Sequence, residues 1–478
     1  MSGELVLQSS FNMPYLLNDK NENQIKARFL VKPSDEVRLE LSKVDTNQGV
    51  DLCIVLDVSK SMNAFLDKTG AVKTGRTTTD EYGREVQLLS GGRSRLDVAI
   101  DSAKNIISMV RNIDNVTCII YSDNPRVLFK NYPGNKKKIM LSEMDKIFKV
   151  RTGDNTNISA AIREARSILV NNNDMKSKKI LFLTDGVPTV DNEIDGIREG
   201  EYLSEYNISI DCLGLGKEVN LPYLEQIAAP SNGSSNFITE AYEVERLFMN
   251  IFEKAKEVVI TNAKLKLTFS KSIRITDYYR GTPENVYLGK VELDKNRSCV
   301  VNLGQIERNQ GYNYYFNITV PSQEGYSGPL RIAKADLEYN IPALYGNKTI
   351  SISQNISIEI GDNEKLASMK DGNVEIEYML VNVKKLEREA LEARDRGDSS
   401  TVLDRYNKII NIYKNLNNIN EARAYEQLLD EYIKTGKISL KVLNKATNSS
   451  SKATDGGILE PIDALSYTEF ERVKRVKK

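Results

Sequence analysis

Hydrophobic and polar positions change their period three times along this chain. In residues 1–48, Ile25, Ala27, Phe29 and Val31 alternate with polar neighbours, and beyond Pro33 the alternation resumes at Val37, Leu39 and Leu41. A period of two predicts half-buried antiparallel strands. Two or three strands do not make a stable sheet in water, so these must pair with something further along. From residue 51 short unbroken apolar runs take over: Leu52–Leu56, Thr117–Tyr121, Lys179–Asp185 and Ile208–Leu213. Strands buried on both faces have this composition. Between them, Leu96, Ala99, Ile100, Ala103, Ile106, Ile107 and Val110 mark an amphipathic helix. More helices are expected near 136–148, through Ile158, Ile162, Ala165 and Leu169, around 196–206 and over 240–256. Strand and helix in alternation predict a doubly wound α/β domain over 49–256, its parallel sheet covered on both faces. Residues 63–93, rich in Gly, Thr and charge, show no period and read as a long loop, either functional or mobile.

The period returns to two after 257. Ala263, Leu265, Leu267 and Phe269 alternate, as do Tyr312, Tyr314, Phe316 and Ile318, then Ala333, Ala335, Leu337 and Tyr339, then Ile350, Ile352, Ile356, Ile358 and Ile360. With turn signals between the runs, 257–362 predicts an antiparallel β-sandwich, and the strands of 1–48 are its natural completion. The α/β domain is then an insertion in the sandwich. The tyrosine ladder at 312–316 fits a cross-strand core pair or a stacking surface. Residues 371–437 show three helical stripes with short links, a three-helix bundle. Residues 438–478 read as a flexible tail whose first part is a Ser/Thr-rich linker.

Composition narrows the function. Lys plus Arg and Asp plus Glu number 66 each, so no global field favours nucleic acid or a membrane surface. No apolar run is long enough to cross a bilayer and no signal-peptide pattern opens the sequence, which predicts a cytoplasmic protein without membrane insertion. Cys53, Cys118 and Cys212 fall inside apolar runs and Cys299 stands apart, so they read as small core residues, not as disulfides. Histidine is absent, which removes Ser-His and Cys-His catalysis and the commonest transition-metal ligand. Neither a GxxxxGK[ST] phosphate loop nor a Gly-x-Ser-x-Gly elbow is present.

The chemistry gathers at the ends of the apolar strands. The first, DLCIVLDVSKSM, ends in Asp57, Ser59 and Ser61, oxygen donors at every second position. Ser and Asp after a strand are also ordinary turn and capping residues. A carboxylate with two hydroxyls is, however, a donor set for a hard cation, Mg²⁺ or Mn²⁺. Open parallel sheets bind ligands beyond their carboxyl ends, where Asp57, the 153–157 loop and Asp185 would meet. DVSKSM, GDNTN about a hundred residues on, and LFLTDG together resemble a von Willebrand factor A domain with a metal-ion-dependent adhesion site. That resemblance implies that Ser59, Ser61 and Thr156 bind the cation directly and that Asp57 and Asp185 act through ordered waters. One coordination position then stays open for a partner's carboxylate. Asp154 fits either an added ligand or a solvated loop residue.

The order A domain, sandwich and helices resembles soluble bacterial and archaeal A-domain proteins distantly related to calcium-activated chloride channel regulators. Such proteins are often regulatory partners of forkhead-associated domain proteins and protein kinases. The expectation is therefore a non-catalytic, metal-dependent adaptor, with a metal-dependent hydrolase or a surface adhesion protein as alternatives. Thr447, Thr454 and Thr468 are candidate phosphorylation sites that a Ser/Thr kinase would reach in the tail and a forkhead-associated domain would read.

Overall fold

A computed structural model describes residues 4–451 except 44–47, 68, 70, 80–84, 148–152 and 173–175. The chain divides into two compact units, Gly49–Lys256 and the combination of Met1–Gln48 with Glu257–Lys478.

Gly49–Lys256 is built on a six-stranded sheet. Its order is Pro125–Pro133, Asn115–Tyr121, Val50–Asp57, Ser177–Thr184, Ile208–Leu215, Ser235–Ile238, with only the first pair antiparallel. Val50–Asp57 lies at the centre and every residue of it is buried. Its side chains alternate between two cores. Leu52, Ile54 and Leu56 pack with the helices Arg95–Met109 and Ala241–Lys256, while Cys53 and Val55 pack with Ile158–Val170 and Leu221–Ala228. An apolar residue at every position of a strand is therefore the signature of a sheet covered on both sides. The segment expected as a loop over 63–93 is instead two ribbons: Phe65–Asp67 pairs with Arg93–Ser94, and Val72–Thr79 with Glu85–Ser90. The stretches FLD and VKTGRTTT show no alternation of apolar and polar residues in sequence, so periodicity does not mark them as strands.

The other unit holds two five-stranded sheets around one apolar core. In one, Asn23–Pro33 lies between Leu5–Phe11 and Tyr312–Val320, with Phe29 opposite Tyr314 and Ala27 opposite Phe316. In the other, Val258–Phe269 lies between Ser298–Glu307 and Gly328–Asn340. Val37, Leu39 and Leu41, read as a strand, lie on the helix Asp35–Lys43; Val37 and Leu41 are buried and Leu39 is exposed. Tyr312 and Tyr314 face the core between the sheets. Tyr315 points the other way, into a cluster with Tyr279, Tyr287 and Tyr378. None of the three is a free stacking surface.

Residues 371–437 hold the helices Gly372–Asp395, Ser399–Asn415 and Ile419–Thr435, and among the described residues a fourth follows them, Leu440–Ser450. The fourth falls in the stretch expected to be a flexible tail. Leu443 and Ala446 join the bundle core, and Tyr425 Oη donates to the Ala446 carbonyl at 3.3 Å. Buried Lys384 donates to Ser450 Oγ and Ser451 Oγ, each at 3.2 Å, while the Asn285 N–H donates to the Ser451 carbonyl at 3.1 Å. Small polar side chains here let the helix approach its neighbours closely. Their Ser/Thr-rich composition resembles a linker for that reason. Thr447 is 1% exposed, so a kinase has no access to it in the folded chain. Thr454 and Thr468 lie outside the described residues.

Candidate metal centre

Three loops at the carboxyl edge of the six-stranded sheet build the site. The first leaves the central strand at Asp57 and enters a short 3-10 turn, Lys60–Asn63. The Val58 N–H still donates to the Tyr121 carbonyl at 2.8 Å, so the strand's pairing carries the backbone up to the first serine. The third loop begins where the neighbouring strand ends, at Thr184 and Asp185; Leu183 is in register with Leu56, which brings the two loop origins side by side. The second loop, 153–157, is laced to both. The Lys60 N–H donates to the Gly153 carbonyl at 3.1 Å, the Thr156 N–H to Thr189 Oγ1 at 2.8 Å, and the Thr189 N–H to the Thr156 carbonyl at 3.0 Å.

These constraints bring the predicted residues together. Ser59 Oγ lies 3.0 Å from Ser61 Oγ, and Ser61 Oγ donates to Asp185 Oδ1 at 2.8 Å. Asp57 sits behind them: Oδ1 accepts the Ser59 N–H at 2.8 Å and Oδ2 accepts from Thr184 Oγ1 at 2.9 Å. Thr156 is buried beside Gly186, where an added Cβ would lie 4.0 Å from Thr156 Oγ1. Asp154 is exposed and forms none of these bonds.

The donor set decides which ion fits. Among the described residues no three His, Cys, Asp or Glu side chains cluster as a metal site, so a nitrogen- or sulfur-rich centre has no ligands here. Two carboxylates with three hydroxyls are the oxygen donors a hard cation prefers. Adjacent oxygens around an octahedral ion with bonds of about 2.0–2.1 Å stand roughly 3 Å apart. The 3.0 Å between Ser59 Oγ and Ser61 Oγ fits that spacing, with Asp185 Oδ1 accepting from Ser61 Oγ behind them at 2.8 Å.

The electrostatics point the same way. Asp57 and Asp185 are 0% and 1% exposed. Burial first, then the neighbouring Asp185 charge, pushes the Asp57 carboxyl up to about 7, against hydrogen bonds from Ser59 and Thr184. Burial also raises Asp185, while Arg95 and Ser61 pull it back. Two buried acids that ionise with difficulty are stabilised by a divalent ion in front of them.

Sequence reasoning missed several supports. Asp123 accepts from Asn155 Nδ2 at 2.5 Å, and a Cβ on Gly153 would come within 2.2 Å of Asp123 Oδ2. Arg95 Nη1 donates to Asp185 Oδ2 at 2.8 Å. In sequence, Ser94-Arg-Leu-Asp97 signals only a capped helix start, and nothing in it links Arg95 to an acid far along the chain.

The fold and site define a class. Residues 51–250 match the von Willebrand factor type A domain family, and the chain carries a domain of that kind there. An uncharacterised protein of Synechocystis sp. is 19% identical over 421 residues, which span 82% of this chain and 86% of its own. Among solved structures, a von Willebrand factor type A protein from Catenulispora acidiphila aligns with a TM-score of 0.70 at 14% identity, covering 94% of this chain and 97% of its own. The ArnB paralog VWA2 from Sulfolobus acidocaldarius aligns at 0.57 and 16%, covering 94% and 98%. At such identities the likeness concerns the fold, and it extends well past the A domain. Among the described residues no helix is long and apolar enough to cross a membrane.

Proposed function

We propose that this chain is a metal-dependent adaptor that captures an acidic side chain of a partner protein. Mg²⁺, or Mn²⁺ in its place, would be held by Ser59, Ser61 and Thr156, with Asp57 and Asp185 behind them. The observation that carries the reading is the set of closely spaced hydroxyl and carboxylate oxygens over two buried acids at the sheet's carboxyl edge. When bound, the ion supplies the positive charge on which a carboxylate docks. The chain's own residues set its strength. Neutral hydroxyls leave most of the ion's charge uncancelled, and the laced loops hold them in place, so an incoming acid meets a preorganised, under-neutralised cation. The A-domain class supports this reading, because its members generally act in metal-dependent protein interactions.

The reading is non-catalytic. The sequence offers no histidine base and no Gly-x-Ser-x-Gly elbow, so it shows neither Ser-His nor Cys-His catalysis. A phosphorylation-linked partner, with a Ser/Thr kinase and a forkhead-associated domain, stays within the proposal only through Thr454 or Thr468, since Thr447 is buried.

Calorimetric titration with Mg²⁺ tests the site, and capture of partners from native lysate with and without EDTA tests the role. One metal site that disappears in Asp57→Ala, with capture that needs both Mg²⁺ and Asp57, is the expected result. Metal binding unchanged in that variant would falsify the assignment.

A further inference from the structure

The helix Arg95–Met109 opens on a residue for which the metal-binding reading has no role. A capping box fixes its first turn: Ser94 Oγ accepts the Asp97 N–H at 3.0 Å and Asp97 Oδ2 accepts the Ser94 N–H at 2.8 Å. The Arg95 N–H donates to the Ala64 carbonyl at 2.9 Å. From this anchored backbone the guanidinium reaches the carboxyl edge of the sheet. Nη1 donates to Asp185 Oδ2 at 2.8 Å and Nη2 to Glu218 Oε2 at 3.0 Å. Nε is buried and has no acceptor among the described residues. The group passes so close to Gly216 that a Cβ there would lie 2.5 Å from Nη2. Only 11% of the Arg95 side chain is exposed and none of the Asp185 side chain, whereas Glu218 is 52% exposed. One buried carboxylate is thus shared between a predicted metal-ligand hydroxyl on Oδ1 and a resident cation on Oδ2.

Building on the metal-binding reading, we infer that Arg95 sets how tightly the site holds a divalent ion and how strongly that ion then attracts an acid. The guanidinium cancels one of two buried negative charges and repels the incoming cation in a site where water screens little. The ion is held more loosely than two free carboxylates would hold it. Once bound, it stands beside a second positive group, and the pair presents more charge to a partner's carboxylate. Glu218 acts in the opposite sense, by drawing on the guanidinium from the solvent side.

Mn²⁺ titrated into the full chain, with the free ion followed by electron paramagnetic resonance, reads the effect without any partner. Removing a buried cation beside a divalent ion should tighten Mn²⁺ binding about tenfold in Arg95→Gln, while Arg95→Lys, which keeps the charge, stays within about threefold of the parent. Glu218→Gln should weaken binding by about threefold, less because that group is half solvated. The opposite signs are the signature, since a loosened fold weakens both. Unchanged or weaker binding in Arg95→Gln overturns the inference, the latter by making the arginine a mere brace for Asp185. If Arg95→Gln does not fold, Glu218→Gln alone decides, and unchanged or tighter binding there is the overturning result. A parent chain that binds no Mn²⁺ overturns the metal-binding reading itself, and the inference with it.

Discussion

Asp57 contributes to stability in a way that depends on both pH and metal. Its carboxyl titrates near about 4 in an unfolded chain but is raised to about 7 in the fold, by burial and by Asp185. The folded state therefore binds that proton more tightly than the unfolded one. For this group, metal-free stability is greatest below about pH 4 and falls as pH rises toward 7. A cation reverses the trend, because it needs the ionised form. Melting temperatures measured from pH 5 to pH 8 should fall without metal and rise with saturating Mg²⁺, and metal affinity should drop as pH falls below about 7. Asp57→Asn should abolish the Mg²⁺ response and weaken the metal-free pH dependence, since Asp57 no longer titrates and Asp185 keeps Arg95 as its partner. A variant whose melting still rises with Mg²⁺ would place the ion elsewhere.

Two elements carry consequences that their composition conceals. Gly153 is where the Thr156 loop passes Asp123 and Ser122, and any Cβ would stand 2.2 and 2.6 Å from their side-chain oxygens. Gly153→Ala should push this loop outward and weaken Mg²⁺ binding roughly tenfold or more while the sheet keeps its circular dichroism. Equal affinity in parent and variant would mean that the Asp123 and Ser122 side chains give way and the loop stays in place. The helix Leu440–Ser450 is the other element. Leu443 is 4% exposed in the bundle core, so Leu443→Ala should cost about 2–5 kcal/mol, read from denaturant unfolding followed by helical signal. A loss below about half a kcal/mol is the value of a surface position, and would mean that this helix is not docked.

At the scale of the whole molecule, the two units differ in how chain connects to structure. Gly49–Lys256 is continuous and holds its complete sheet, so residues 49–256 expressed alone should fold and bind Mg²⁺ as the full chain does. The other unit is discontinuous. Asn23–Pro33 is an interior strand, hydrogen-bonded on one side to Leu5–Phe11 and on the other to Tyr312–Val320. Residues 257–451 alone would leave that edge of Tyr312–Val320 unpaired and expose Phe316 and Tyr314, so the fragment should aggregate or stay expanded by light scattering. Added residues 1–48 should rescue it. A soluble, cooperatively melting 257–451 fragment would show that the N-terminal strands are dispensable.

Read residue by residue, the sequence determined the local features by itself. Buried strands were legible because covering both faces demands an apolar residue at each step, as in Leu52 to Leu56. The Asp57, Ser59 and Ser61 triplet was legible because all three follow one strand end. What stayed hidden was set by distant contacts. Val37 and Leu41 are spaced four apart, which suits a helical turn as well as alternate positions of a strand, and only their packing selected the helix. On the first of the three helical stripes in 371–437, Ile376 is exposed, because the helix Gly372–Asp395 buries Tyr378 and Val381 among the sandwich tyrosines and Val383 and Ala390 in the bundle. Ser450 and Thr447 looked like linker until Lys384 and Tyr425 were brought against their helix. Arg95 meets Asp185 only when the start of the helix Arg95–Met109 is brought to the carboxyl end of the strand Ser177–Thr184. Periodicity records which face of an element is apolar; it carries no record of which other element, dozens of residues away, will cover that face or pair with its charges.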